Sequence, residues 1–386
     1  MSTQTPESVE ASSATSRSVI DQSAIHSLSR WLWIVYGMIF CMVVIGGITR
    51  LTGSGLSMVE WRPLMGSLPP LTEGEWQRVF DLYQQSPQYQ LVNDWMKLDD
   101  FKLIFFWEYL HRLFGRLIGI VFALPWLYFI IKGVLRGAWL KRATAALIFG
   151  GSQGLLGWYM VKSGLVDQPQ VSHLRLAAHL SLAFFCGQWV WLMLLDLNKD
   201  RIESLPSLKK NIEDSGAERS PPKRTHALAF FLLLILQIVY GAFMAGSKAG
   251  YLYATYPTMN GRWIAPTWFD PAGAFRLPEL AELINAPDSI HFIHRALAVI
   301  VLGYGLWLGL RASRVVIGPV SRYGAYLLIA LSLQFVLGVL TIISGMNISL
   351  AAAHQGGAFI LLSVTVALLW SLSLPFKSSA KGEMQK

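Results

Sequence analysis

At 386 residues, 53% hydrophobic and only 14% charged, with 15 tryptophans, the chain is too apolar for an ordinary soluble domain and reads as an all-α polytopic membrane protein. Its formal charge of +9 does not mark a nucleic-acid binder, because the Lys and Arg residues gather in short loops between apolar runs, which is the footprint of membrane topology. The two cysteines, Cys41 and Cys186, lie inside apolar runs; they support neither a disulfide framework nor a Cys-based metal site and read as core filler.

The first thirty residues are Ser-rich, carry Glu7, Glu10 and Asp21 against only Arg17 and Arg30, and contain no short apolar core. That pattern argues against a transit peptide or a cleavable signal. It predicts a disordered cytoplasmic tail over 1–30 on a bacterial inner-membrane protein. Eight apolar segments then follow, each long enough for a bilayer that needs roughly 20 helical residues: about 31–49, 110–131, 143–161, 175–196, 226–246, 291–311, 323–344 and 351–374. An even number puts both termini on one side. The loops Lys132 to Arg142, Leu197 to Thr225 and Arg311 to Arg322 hold the basic residues, so these loops, both termini and the tail 375–386 are expected in the cytoplasm.

The loops on the other side are of a different kind. Two are long, from about Arg50 to Trp107 and from Ser247 to Ile290, and both are rich in Trp, Tyr, Pro and Gly. In the first, Thr72 and Glu75 form a capping box before Trp76, Val79, Phe80 and Tyr83. This predicts a short helix, either lying on the outer surface or packed as an ordinary loop helix.

The polar stretch 198–225 divides the chain into halves, 31–197 and 226–374, that resemble each other. Tyr109-Leu110-His111-Arg112 recurs 183 residues later as Phe292-Ile293-His294-Arg295. Gln153-Gly154-Leu155-Leu156-Gly157 recurs as Gln334-Phe335-Val336-Leu337-Gly338, and Ala177-Ala178-His179 as Ala352-Ala353-His354. Gly-rich exits from the first and fifth segments, Gly47 to Gly55 and Gly241 to Gly250, add a fourth match. Two four-helix units in tandem, pseudo-symmetric and equally oriented, account for all four.

Of eight histidines, His111, His179, His294 and His354 occupy equivalent positions near the outer ends of even-numbered segments. A single intramembrane His is often just a satisfied structural residue. A pair duplicated at matching depth is what axial ligation of haem iron requires, so each half is a candidate haem pocket. Arg112, Arg116 and Arg295 are candidate partners for haem propionates, against the alternative of arginines snorkelling to water. Gly115 and Gly119 could admit a flat macrocycle or serve close helix packing. The repeat breaks at Glu108, which aligns with His291. A carboxylate beside a haem edge could accept a proton or stabilise positive charge at an oxidised carbon; the plainer alternative is an ion pair with Arg112 or Lys102.

These residues resemble the haem A synthase family. The resemblance runs from about Trp31 to Leu374 and rests on Gly46-Gly47-Ile48-Thr49-Arg50-Leu51-Thr52-Gly53-Ser54-Gly55-Leu56-Ser57, on Glu108 to Arg112 with Gly115-Arg116, and on His294-Arg295 and His354-Gln355-Gly356. It implies oxidation of the ring methyl of haem O to a formyl group through a hydroxymethyl intermediate, with oxygen from water. It implies His111 and His179 facing the substrate haem, Glu108 as the catalytic carboxylate, and His294 and His354 ligating a cofactor haem b. A complex with haem O synthase is a further expectation from the family, and the electron acceptor is unknown. The chain departs from those branches that carry an outer-loop cysteine pair and is similar to the proteobacterial and mitochondrial branch. Two other classes compete: a non-catalytic dihaem b-type electron carrier, which leaves Glu108 without work, and a haem transporter, which would need alternating access.

Overall fold

The computed structural model describes residues 22–60, 68–165, 169–204, 220–315 and 318–374. The expected tails over 1–21 and 375–386, and 205–219 of the linker, lie outside the described residues. Every regular element of any length is helical: α1 (Gln22–Leu51), α2 (Glu73–Gln84), α3 (Leu98–Ile131), α4 (Gly137–Lys162), α5 (His173–Leu197), α6 (Lys199–Ser204), α7 (Arg224–Gly246), α8 (Leu280–Asn285), α9 (Pro287–Ser313), α10 (Pro319–Ile343) and α11 (Ile348–Ser371). Seven of these, namely α1, α3, α5, α7, α9, α10 and α11, are long and apolar enough to cross a membrane. The chain is a multi-pass membrane protein. Helix α4 has the length, at 26 residues, but Gly150, Gly151, Ser152, Gln153, Gly154 and Gly157 dilute its hydropathy.

Several boundaries differ from those read in the sequence. Helix α1 starts at Gln22, so the last nine residues of the expected tail are helical. Helix α3 starts at Leu98, twelve residues before the apolar run: the Lys97 backbone amide donates to Asp100 at 3.1 Å, and Phe101, Ile104 and Phe105 are buried against α2 rather than against lipid. Helix α2 starts as predicted, with the Thr72 hydroxyl accepting from the Glu75 amide, but it is a packed loop helix. Its Phe80 and Tyr83 are buried on Phe101, and Trp76 meets Phe105 edge-on at 5.1 Å. Part of the linker folds as α6. Cys41 is exposed on α1, so it is not core filler.

The helix ends follow local chemistry. Gly53 (φ 69°), Gly133 (φ 67°) and Gly345 (φ 67°) take the left-handed conformation just past α1, α3 and α10. After each, the next amide reaches back to close the last turn: Ser54 to Thr49 O, Val134 to Phe129 O and Met346 to Thr341 O, all 2.9 Å. Inside α3, Pro125 cannot donate to Val121 O four residues earlier. The indole of Trp31 on α1 takes that carbonyl instead, at 3.0 Å, so no backbone acceptor is stranded in an apolar setting.

Helix α1 packs on α3 and α5, and α4 packs on α3 and α5; in the same way α7 packs on α9 and α11, and α10 packs on α9 and α11. The two groups join through α1 with α11, α5 with α7, and α5 with α11. A polar knot pins that seam. Tyr36 donates to Ser363 Oγ (2.6 Å), Gln188 Nε2 donates to the same oxygen (3.0 Å) and Trp191 Nε1 donates to Ser363 O (2.9 Å). Beside it Phe359 fits the space left by Gly187, where a Cβ would come within 2.4 Å of the ring.

Candidate functional site

The four predicted histidines are partly buried, one on each of α3, α5, α9 and α11, and each imidazole rests on a glycine of a neighbouring helix. A Cβ at Gly46 (α1) would lie 3.2 Å from His111, at Gly157 (α4) 3.0 Å from His179, at Gly241 (α7) 3.2 Å from His294, and at Gly338 (α10) 2.8 Å from His354. Only a residue without a side chain leaves room for a ring there. The seats repeat as the histidines do, which places the Gly-rich match in the register Gly46 with Gly241. Gln153 Nε2 donates to His179 O at 2.8 Å and Gln334 Nε2 donates to His354 O at 2.9 Å, so the backbone behind the two later histidines is held identically.

The Nδ1 atoms of His179, His294 and His354 are buried without a hydrogen-bond partner, and His294 Nε2 lies 3.5 Å from the Gln237 amide. Buried ring nitrogens without protein partners are rare in a finished core and fit groups that take a ligand. In the C-terminal half, His294 and His354 open onto a cavity walled largely by aliphatic side chains. Two imidazoles lining one largely apolar cavity are a donor set that fits an iron macrocycle. Among the described residues no cluster of three or more His, Cys, Asp or Glu forms a conventional metal site.

Glu108 is 3% exposed and fully engaged. Its Oε2 accepts from Ser57 Oγ (2.7 Å) and the Met58 amide (2.8 Å), and its Oε1 pairs with Arg112 Nη2 at 2.5 Å. Arg112 also donates to Met58 O at 3.0 Å. The ion pair with Arg112 is therefore real; Lys102 pairs with Asp99 instead. Ser57 and Met58 belong to the turn that leaves α1, so Glu108 ties that turn to α3 one helical turn before His111. In the other half His291, wholly buried, donates from Nδ1 to Ala249 O at 2.9 Å, in the turn that leaves α7. The two residues do the same anchoring, one as a carboxylate acceptor and the other as an imidazole donor.

The arginines are also occupied. Arg295 donates to Thr258 O (3.1 Å) and Tyr253 O (3.2 Å), holding the loop after α7 as Arg112 holds the loop after α1. Arg116 lies one turn beyond Arg112. Gly115 faces Met42, while no atom lies within 4 Å of a Cβ at Gly119. Sequence reasoning missed the glycine seats, Gln237 and Arg50, which lines the C-terminal cavity from the other half. The signal for the seats was present as a repeat of Gly46 and Gly157 at Gly241 and Gly338.

Comparison with known proteins identifies the family. The family model for cytochrome oxidase assembly proteins, COX15-CtaA, matches residues 29–366. The "Heme A synthase" of Parvibaculum lavamentivorans is 40% identical over 343 residues, covering 88% of this chain and 93% of its own. That of Rhodospirillum centenum is 42% identical over 347 residues, 89% and 87% of the two chains, and that of Caulobacter vibrioides 39% identical over 347 residues, 89% and 96%. The chain belongs to the COX15-CtaA family of cytochrome oxidase assembly proteins.

Proposed function

As a member of that family the chain, we propose, is a haem A synthase: an oxidoreductase that converts the ring methyl of haem O into a formyl group through a hydroxymethyl intermediate, for cytochrome oxidase biogenesis. The observation that carries this reading beyond kinship is the pair of glycine-seated imidazole frames with a carboxylate beside only one. A passive electron carrier needs the frames and has no use for the difference. Four electrons and four protons leave as one water oxygen enters, so the methyl carbon becomes electron-poor at each oxidation. A fixed anion near that carbon lowers the barrier most where water is excluded.

On this reading His111 and His179 hold the substrate haem in the N-terminal half, with Arg112 and Arg116 on its polar side. Glu108 is the catalytic carboxylate. Its hydrogen bonds from Ser57 and Met58 and its pairing with Arg112 support a preset charge that needs no reorganisation during the reaction. His294 and His354, with Arg295, hold a cofactor haem b in the C-terminal half. When bound, haem b supplies a one-electron relay between the substrate site and an acceptor outside the chain. The protein's part is to orient both macrocycles across α1 and α11 and to keep water from all but the reacting edge.

The same reading takes α4 as an eighth crossing and the halves as two tandem, pseudo-symmetric four-helix bundles. The matching neighbour pattern of the helices supports it. On that count, the even number and the basic loops support both termini on the cytoplasmic side of a bacterial inner membrane. Haem O reaches the enzyme from a haem O synthase, and we include a complex with that enzyme in the proposal. The test is haem extraction from purified Glu108→Gln protein: haem O should accumulate at the N-terminal site with haem b retained. Full conversion in that variant overturns the role of Glu108, and haem b at both sites of the unmutated protein overturns the enzyme in favour of a carrier.

A further inference from the structure

The cavity between His294 and His354 is not built by the C-terminal helices alone. Arg50 from the end of α1 and Phe184 from α5 help to close it. Its lining contains two charged residues, Arg50 and Arg295, and no carboxylate. Arg295 spends two of its nitrogens on loop carbonyls, while its Nε is buried without a partner. Arg50 makes no salt bridge to a carboxylate among the described residues. A cation facing an apolar cavity is costly unless something there neutralises it, and the planar guanidinium fork suits a carboxylate above other anions.

The placement of Arg50 is fixed from both sides. The Thr49 hydroxyl donates to Ile45 O (2.9 Å) and lies 3.2 Å from Trp107 O, tying this turn to α3. One turn earlier, a Cβ at Gly47 would lie 3.0 Å from the Gln355 amide, whose Nε2 donates to Val43 O at 2.6 Å. Since Gln355 follows His354, the register of α1 on α11 sets Arg50 relative to the imidazole. The repeat counterpart of Arg50 on α7 is Ala245, in the frame that matches Gly46 to Gly241. At that position the C-terminal half has no cation to donate in return.

We infer that Arg50, though part of the N-terminal half, is a binding residue of the C-terminal site, where with Arg295 Nε it holds the carboxylate edge of a flat, otherwise apolar ligand. This rests on the reading that the site holds haem b, whose two propionates are that edge. The experiment uses the full-length protein purified without haem and titrated with haem b or with its dimethyl ester, in unmutated, Arg50→Gln, Arg50→Lys and His294→Ala forms. Arg50→Gln should weaken haem b binding about tenfold or more, the scale of one lost charge-assisted hydrogen bond. It should also lower the haem reduction potential, because a nearby positive charge favours the reduced form. Arg50→Lys should recover much of the potential and less of the affinity. Esterification should weaken binding to the unmutated protein and matter less in Arg50→Gln, where Arg295 alone remains to meet a carboxylate. If Arg50→Gln keeps the affinity and potential of the unmutated protein, or is as sensitive to esterification, the inference is overturned. Should His294→Ala bind haem b as well as the unmutated protein does, the underlying haem b assignment is what fails.

Discussion

Replacing Gly338 by alanine tests whether the glycine seats exist for the imidazoles. The new Cβ would lie 2.8 Å from His354 Cε1, and carbon atoms settle at about 3.5 Å or more, so the ring must retreat by roughly 0.7 Å. The ring is the free end of its side chain, so the protein can yield without unfolding. Overpacking of about 1–3 kcal/mol is set against a helix-propensity gain of about 0.5–1 kcal/mol from Gly to Ala. Metal–nitrogen geometry is less tolerant, with distances held within about 0.2 Å. Gly338→Ala should therefore express and melt within about 2 kcal/mol of the unmutated protein yet lose most haem at the C-terminal site. Severity should fall from Gly338 through Gly157 (3.0 Å) to Gly46 and Gly241 (both 3.2 Å). Gly74→Ala, on the loop helix α2 with open space at its Cβ, is the control and should leave haem content unchanged. The assay is haem per polypeptide with the absorption spectrum of the reduced protein. Full occupancy and an unaltered spectrum in Gly338→Ala would refute the seat.

Three further expectations rest on other contacts. Trp31→Phe strands Val121 O beside Pro125 and should cost about 1–3 kcal/mol, whereas in a Pro125→Ala background the restored helical amide takes that carbonyl. A thermal-unfolding cycle in detergent should therefore show a favourable coupling of about 1 kcal/mol. Arg112→Ala leaves the Glu108 carboxylate buried without its counter-charge and should destabilise by about 3–5 kcal/mol, part of which Glu108→Gln in the same chain recovers. In the loop before α9, the hydrogen bonds and charge of Arg276 hold the Glu282 carboxyl below the usual carboxylate range. A lowered folded value means the stabilisation is present at neutral pH and is lost as pH falls through the acid carboxylate range. Hydrogen exchange over this loop should quicken on acidification, and Glu282→Gln should abolish that dependence.

Most of the helical frame was legible in the sequence because lipid imposes a simple rule: a long apolar run is a helix. The rule fails where protein replaces lipid. Helix α3 begins at Leu98 because α2 covers Phe101, Ile104 and Phe105, and the Asp99, Asp100 and Lys102 that made the stretch look like a loop are its first turn. The histidines were legible through duplication, but their seats were not. A glycine in a membrane helix serves close packing, a kink or a ligand equally well, and only the partner helix decides. Arg50 was hidden for another reason. It belongs to the first half by sequence and to the second by position, and no repeat alignment within one half can reveal a residue donated across the seam.

On the proposed reading, that donation lets a duplicated scaffold hold two different ligands. The halves share a pattern of four packed helices, two histidines and their glycine seats, so on that reading the common frame would grip a flat macrocycle and nothing more. Difference enters at positions where the copies diverge. Glu108 stands opposite His291, Met42 opposite Gln237 and Arg50 opposite Ala245. Two of these lie on α1, which is also the wall the sites share: Gly46 seats His111 on one side, while Gly47 meets Gln355 and Arg50 enters the C-terminal cavity on the other. Successive residues of one helix therefore address different sites. A perturbation of α1 should register at both, whereas one confined to α10 should register at His354 alone.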